Sequence, residues 1–121
     1  MSEEYPSSKR ITRGSELNGI LKKGRRVRTL DLDVRLLASP LSFVRVGILV
    51  PRHGQSAVRR NLVKRRLREL SRKILLPVQV SMNVVIRCNP SVYGRTFEEL
   101  RQQLAGVHHA LVEGGNEERD R

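Results

Sequence analysis

Residues 43–88 decide the fold, and they read FVRVGILVPRHGQSAVRRNLVKRRLRELSRKILLPVQVSMNVVIRC. Residues 43–50 are apolar on both alternating faces, which predicts a strand in the middle of a sheet. Ser56 offers an N-cap for a long helix that ends before Pro77. Residues 82–88 are rich in Val and Ile and predict another strand. The stretch therefore predicts a strand, a long helix and a second strand, in that order.

The flanking sequence completes a small α+β domain. Ser15 is predicted to cap a short amphipathic helix that ends at Gly24. Apolar and charged residues alternate over residues 30–36, which predicts a strand with one face in water. Thr96 and Glu99 have the spacing of a capping box at the start of a last helix. We therefore predict a small α+β layer structure, with three helices packed on a mixed sheet.

The length and composition exclude several classes of protein. A chain of 121 residues suits one domain, which we place at residues 11–112 between a flexible N-terminus (1–10) and a flexible C-terminal tail (113–121). One cysteine cannot form an internal disulfide, and no apolar run is long enough for a membrane helix. The polar N-terminus lacks the pattern of a secretory signal. We expect a reducing, cytoplasmic setting.

The positive charge is concentrated in one part of the chain. The formal net charge is +12, and residues 45–75 carry ten basic side chains and one acidic one, or +9 of that total. A local excess of this kind favours a specific polyanionic partner. Nucleic acid is the first candidate, and an anionic membrane surface is the second.

The long helix carries this charge beside an apolar face. At about 100° per residue, Val63, Leu67 and Leu70 fall on the core side, and cations occupy most of the remaining surface. Like charges recur at i,i+4 with only Glu69 between them, and such pairs destabilise a helix unless an anion relieves them. A strand precedes the helix, which disfavours a DNA-reading helix-turn-helix. RNA is therefore the expected partner.

The helix contains a recognisable motif. Arg60 and Asn61 are followed by Lys64, Arg65 and Arg68, after a strand that ends in the basic loop Pro-Arg-His. This arrangement resembles the protein subunit of bacterial ribonuclease P. The resemblance extends from about residue 10 to residue 111.

The resemblance implies a fold and a division of labour. It implies a small two-layer α/β sandwich, with a mixed sheet of about four strands, three helices and a left-handed β-α-β crossover. A large RNA subunit, using Mg²⁺, would cleave the 5′ leader from precursor tRNA, while the protein would hold no cofactor and would not be catalytic alone. The implied partners are the ribonuclease P RNA subunit and precursor tRNA, with no membrane and no protein partner required.

The resemblance also implies site residues. The expected RNA-binding residues are Arg52, His53, Arg59, Arg60, Asn61, Lys64, Arg65, Arg68 and Arg72. The expected leader-cleft residues are Leu17, Leu21 and Leu32, where many relatives carry Phe. Relatives often carry Arg in place of Leu62 and Lys in place of His53. Because aromatic residues make up only 3% of the chain, we expect less base stacking and more reliance on charge.

Two other functions stay open at this stage. A general RNA-binding or ribosome-associated protein would share the charge pattern. A nuclease acting alone would need a convergent cluster of acids, bases or metal ligands. His108 and His109 are adjacent on a helix, which makes surface positions the simpler interpretation. Asp31 and Asp33 could hold Mg²⁺, but a solvated strand face is the simpler interpretation, and Cys88 fits a buried, inert position.

Overall fold

A computed structural model describes the backbone of residues 6–120 and the side chains of residues 6–114. The elements are α1 (Gly14–Lys23), β1 (Arg25–Arg28), β2 (Leu32–Ala38), β3 (Arg45–Leu49), α2 (Ala57–Ile74), β4 (Met82–Cys88) and α3 (Phe97–Asp120), with short 3-10 helices at Ser7–Lys9 and Pro90–Gly94. The predicted fold class, three helices with a four-stranded mixed sheet, is confirmed.

The sheet has the strand order β1-β2-β4-β3. The pairs β1–β2 and β2–β4 are antiparallel, whereas β3 and β4 are parallel neighbours joined through α2. The prediction that β3 is central is wrong, because β3 forms an edge. Its residues are nevertheless covered, since Ile11 N–H donates to the Val46 carbonyl at 3.1 Å along that edge and helices lie over both faces.

Two apolar clusters hold the helices on opposite faces of the sheet. On one face, α2 and α3 pack over β2 and β4 through residues such as Leu67, Leu104 and Ile86. On the other face, α1 packs through Leu17 and Ile20 on Val85. We call these the α2/α3 face and the α1 face. The larger cluster is under the basic helix, so the core fixes how that helix faces water.

Gly47 allows the α1 face to close. A Cβ at this position would lie 2.7 Å from Leu17 Cδ2 and 2.9 Å from the Ile11 carbonyl oxygen, distances too short for any side chain. The absence of a side chain lets α1 and the preceding segment lie directly on β3. This contact determines how close α1 comes to the sheet edge beside α2.

The ends of the helices test the local sequence patterns. Ser56 Oγ accepts the Arg59 N–H at 3.2 Å, and Thr96 and Glu99 form the predicted reciprocal capping box, so both caps are confirmed. The predicted cap at Ser15 is wrong, because α1 begins at Gly14 after Arg13, which makes no side-chain cap bond.

The prediction that the strand at residues 30–36, which is β2 in the structure, has one face in water is wrong as well. Asp31 and Asp33 are 0% and 5% exposed. Alternation was an unreliable guide here because these two acids have charged and polar partners inside the protein. β1 was not predicted as a separate strand, since Arg25–Arg28 is too basic to show an apolar period.

The C-terminal segment is helical where the sequence predicted a flexible tail at residues 113–121. α3 continues to Asp120. Near its end, Arg25 Nη2 donates to the Ala110 carbonyl at 3.2 Å and also lies beside Gly114, so β1 supports this turn of the helix. Residues 1–5 and 121 lie outside the described residues, and the flexibility predicted for the two ends stays a prediction.

Candidate nucleic-acid interface

Packing on the sheet determines which side chains of α2 face water. Val63, Leu67 and Leu70 are at most 6% exposed and define the buried side. Most of the remaining positions face outward, with Ser71 as a buried exception, and the predicted residues Asn61, Arg65 and Arg68 are all exposed. The apolar spacing of the sequence thus places the cations of the motif on one accessible surface.

Most of these cations have no carboxylate partner. Among the residues that the structure describes, no Asp or Glu forms an ion pair with Arg65, Arg66 or Arg68, and none pairs with Arg59, Arg60 or Lys64. We call this set of six the basic face of α2. An anion that approached it would meet charge that internal carboxylates have not neutralised.

One row of the basic face borders the edge of the sheet. Arg60 Nε donates to the Val50 carbonyl at 3.0 Å, which fixes the position of its guanidinium group. Lys64 lies between Arg60 and Arg68, and burial, followed by repulsion from these two charges, lowers the pKa of its ammonium group. An arriving phosphate would relieve the repulsion, so the row favours anion binding.

Two clefts open beside this row. A cleft of about 280 Å³ lies at the ends of β3 and β4. Its cations are Arg60, Lys64 and Arg87, and its apolar wall includes Leu49 and Cys88. A smaller cleft of about 50 Å³ brings Arg10 to Lys64 and Arg68. Arg87 and Arg10 were not predicted as site residues; only the strand pairing brings them next to the helix.

The loop before α2 extends the same surface. Arg52 and His53 are exposed. Gln55 N–H donates to the Arg52 carbonyl at 2.8 Å, and His53 and Gly54 both have positive φ, at 43° and 74°. A non-glycine residue at positive φ is uncommon and occurs more often at functional turns. The tight turn holds both side chains at the start of the helix.

Arg59, at the start of the basic face, contacts the 3-10 helix Pro90–Gly94. Its guanidinium carbon lies 5.8 Å from the centre of the Tyr93 ring, and its Nη2 donates to the Tyr93 carbonyl at 3.3 Å. Tyr93 in turn donates its hydroxyl to the Pro51 carbonyl at 2.5 Å. The 3-10 helix after β4 is therefore connected to the loop that carries Arg52.

Arg72 differs from the other predicted RNA-binding residues. Its Nη2 lies 2.7 Å from Glu69 Oε2, and Lys73 Nζ lies 3.2 Å from the same oxygen. Hydrogen bonds from Arg72 and Lys73 lower the pKa of the Glu69 carboxyl, which stays charged at neutral pH. The structure thus neutralises part of the charge at this end of α2, and Arg72 is not part of the basic face.

The structure separates the three predicted leader-cleft residues. Leu32 is 1% exposed and belongs to the cluster on the α2/α3 face, whereas Leu17 and Leu21 belong to the α1 face. The grouping of Leu32 with the other two is therefore wrong. Side chains of successive strand residues point to opposite faces, and the side chain of Leu32 points to the α2/α3 face of the sheet. Leu17 is 8% exposed and packs against Gly47, and Leu21 is half-buried.

The open part of the α1 face is basic. Asp33 accepts a bidentate pair from Arg26 at 2.9–3.0 Å, and Arg35 and Arg87 lie 3.7 and 3.5 Å from the same carboxylate. The hydrogen bond from Arg26 is the main cause of the lowered Asp33 pKa. Three guanidinium groups and one carboxylate leave a surplus of positive charge on this face. Arg26 and Arg87 were not predicted as site residues.

Asp31 has a structural environment of its own. It accepts hydrogen bonds from Ser91 Oγ at 2.5 Å and from Arg95 Nε and Gln103 Nε2 at 2.6 Å each. Burial raises the pKa of its carboxyl, but these bonds and the charge of Arg95 outweigh burial, so the pKa is lowered overall. Because these donors already bond the carboxylate oxygens, Asp31 does not fit a Mg²⁺ site.

Other candidate chemistry is absent from the described residues. They contain no group of three or more His, Cys, Asp or Glu side chains suited to a metal. His109 is exposed and lies 3.1 Å from Glu113. Cys88 is buried, as predicted, and burial raises the pKa of its thiol to about 12. No helix in this part of the chain is long and apolar enough to cross a membrane.

Comparison with known proteins gives a consistent picture. The family model Ribonuclease P matches residues 5–111. The ribonuclease P protein component of Clavibacter michiganensis is 33% identical over 99 residues, which cover 81% of this chain and 88% of the relative. That of Mycolicibacterium vanbaalenii is 34% identical over 109 residues, covering 84% and 92%.

Solved structures agree in fold. The RNase P protein of Staphylococcus aureus superposes with a TM-score of 0.76 at 22% identity, covering 85% of this chain and 94% of that one. The RNase P protein of Thermotoga maritima gives a TM-score of 0.72 at 22% identity, covering 81% and 93%. From the family model and the curated relatives, this chain belongs to the bacterial ribonuclease P protein component family.

Proposed function

We propose that this chain is the protein subunit of a ribonuclease P ribonucleoprotein and that it works by electrostatic assembly. Its basic face binds the catalytic RNA subunit, and the complex removes the 5′ leader of precursor tRNA in the cytoplasm. The observation that carries this proposal is the set of α2 cations without carboxylate partners within the described chain. Such a surface allows two polyanions to approach each other.

The division of labour follows from the chemistry that the residues offer. Arg65 and Arg68 are exposed and suited to phosphates, and Asn61 on the same surface offers an amide for a hydrogen bond. Neither Asp31 nor Asp33 is available as a metal ligand, since both are buried and paired. In this proposal the RNA binds the Mg²⁺ and breaks the phosphodiester bond, and the protein orders the RNA.

The leader of the substrate is assigned to the α1 face. Leu21 and Leu49 are half-buried there. Leu49 lines the larger cleft with Arg87, and the Leu21 carbonyl accepts a hydrogen bond from Arg35 Nη1 at 2.8 Å. Aliphatic side chains next to arginines suit a single strand whose bases are unpaired. Leu17 supports this face from below and Leu32 does not belong to it.

Reconstitution tests the proposal. The purified protein is incubated with precursor tRNA, with and without ribonuclease P RNA, at physiological Mg²⁺ and salt. We expect leader removal that requires the RNA and that the protein stimulates, with mature tRNA bound more weakly than precursor tRNA. Cleavage by the protein alone would contradict the proposal, and equal binding of precursor and mature tRNA without stimulation would favour a general RNA-binding protein.

A further inference from the structure

An apolar ridge interrupts the basic face of α2. Val58 and Leu62 are 78% and 39% exposed, although both are aliphatic. They stand four residues apart on the same helix, so their side chains are neighbours on its surface. Isolated exposed aliphatic residues are ordinary, but two adjacent ones on a helix otherwise rich in exposed cations are a feature to explain.

The ridge runs between two sets of cations. At about 100° per residue, Val58 and Leu62 lie within about 40° of each other. Arg65 and Arg68 lie on one side of them around the helix, and Arg66 lies on the other. None of these three cations forms an ion pair with a carboxylate in the described part of the chain. A partner that covers the ridge must therefore present negative charge on both sides of an apolar surface.

We infer that Val58 and Leu62 contact the face of an unpaired nucleobase of the RNA while the flanking arginines bind its phosphates; this inference rests on the proposed function. A base face is apolar, and it is accessible only where the base is unpaired. Arg65 and Arg68 are three residues apart, or about 4.5 Å along the helix axis, so both can reach phosphates of one short stretch of RNA backbone. The ridge therefore adds a contribution to binding that does not depend on charge.

Salt dependence separates this contribution from the electrostatic one. Removing a phosphate contact lowers the slope of log affinity against log salt, whereas removing an apolar contact lowers the affinity equally at all salt concentrations. We measure binding of full-length variants to in vitro transcribed ribonuclease P RNA at four salt concentrations. For Leu62→Ala we expect about five- to tenfold weaker binding with an unchanged slope.

Two further variants distinguish polarity from shape. Leu62→Met keeps an apolar side chain of similar size, and we expect its affinity to stay within about twofold of the wild type. Leu62→Gln has a similar size but a polar end, and we expect it to bind about as weakly as Leu62→Ala. The urea midpoint of each variant shows that the fold persists. A matched control is Leu41→Ala, because Leu41 is 38% exposed but lies in the β2–β3 loop.

The type of RNA completes the test. We expect the loss caused by Leu62→Ala to appear with an unstructured single-stranded oligonucleotide and to be absent with a perfect duplex. Wild-type affinity of Leu62→Ala for ribonuclease P RNA, an equal loss with the duplex, or an equal loss in Leu41→Ala would overturn the inference while leaving the proposed function intact. A wild-type protein that does not bind ribonuclease P RNA would refute the proposed function, and this inference with it.

Discussion

The two ends of α2 should contribute differently to RNA binding, and a pair of substitutions tests this difference. Arg68 and Arg72 are four residues apart, about one helical turn, and both belong to the series of like charges that recurs at i,i+4 along α2. Arg68 forms no ion pair within the described chain, whereas Arg72 lies 2.7 Å from Glu69. We therefore expect Arg68→Ala to weaken binding to ribonuclease P RNA more than Arg72→Ala does.

The magnitude follows from counterion release. Each phosphate contact contributes roughly 0.7–0.9 to the slope of log affinity against log salt. Between 50 and 200 mM salt, one contact changes the affinity ratio about threefold. Arg68→Ala should lower the slope by about 0.8, and Arg72→Ala by less than half of that amount because Glu69 already compensates its charge.

The assay is a titration of labelled ribonuclease P RNA with each variant at four salt concentrations. Glu69→Gln serves as the reciprocal variant, since it releases Arg72 and Lys73 from their shared carboxylate and should raise the slope. Arg101→Ala is the control, because Arg101 is paired with Glu98 on α3. Equal slopes for Arg68→Ala and Arg72→Ala, or an unchanged slope in Arg68→Ala, would refute the reasoning.

Four further predictions concern the framework of the site. Asp31→Asn should lower the free energy of unfolding by about 2–4 kcal/mol, because it leaves buried donors with a poorer acceptor; a urea titration measures this, and an unchanged midpoint would contradict it. Asp31 and Asp33 both have lowered carboxyl pKa values in the folded state. The stability that they contribute is therefore present above the unfolded pKa of about 3.9 and is lost as the pH falls through the folded-state pKa. Free energies of unfolding measured from pH 6 to pH 2 should show this decline, and Asp33→Asn should make it smaller. Gly47→Ala should cost about 1–3 kcal/mol by forcing Leu17 and the adjacent backbone apart, and thermal unfolding checks it. The Cys88 thiol, with its pKa raised to about 12, should resist alkylation at pH 8 in the folded protein and react after denaturation, as mass spectrometry would detect.

The local patterns of the sequence predicted the elements that depend on nearby residues. Apolar spacing determined which side of α2 is buried, and Ser56 and the Thr96–Glu99 pair cap their helices as expected, since caps involve residues only three positions apart. The motif residues Asn61, Arg65 and Arg68 are exposed for the same reason, since a helix converts spacing directly into position, and their role in RNA binding stays a prediction.

Features that depend on distant partners could not be predicted in this way. Asp33 is buried because Arg26 and Arg87 approach it from two neighbouring strands. Leu32 faces away from Leu17 because of the parity of β2, which the alternation leaves undecided until the register is known. Glu69 is only three residues from Arg72, so the ion pair that compensates Arg72 is local, and the spacing alone could have predicted it.

The three partners of Asp31 impose an order on how the protein folds during its synthesis. Ser91, Arg95 and Gln103 follow it by 60 to 72 residues, so a nascent chain that ends before residue 91 has an aspartate that must stay hydrated. Burying that aspartate without its donors would be costly. The region around Asp31 can therefore close only after residues 91–103 have emerged from the ribosome.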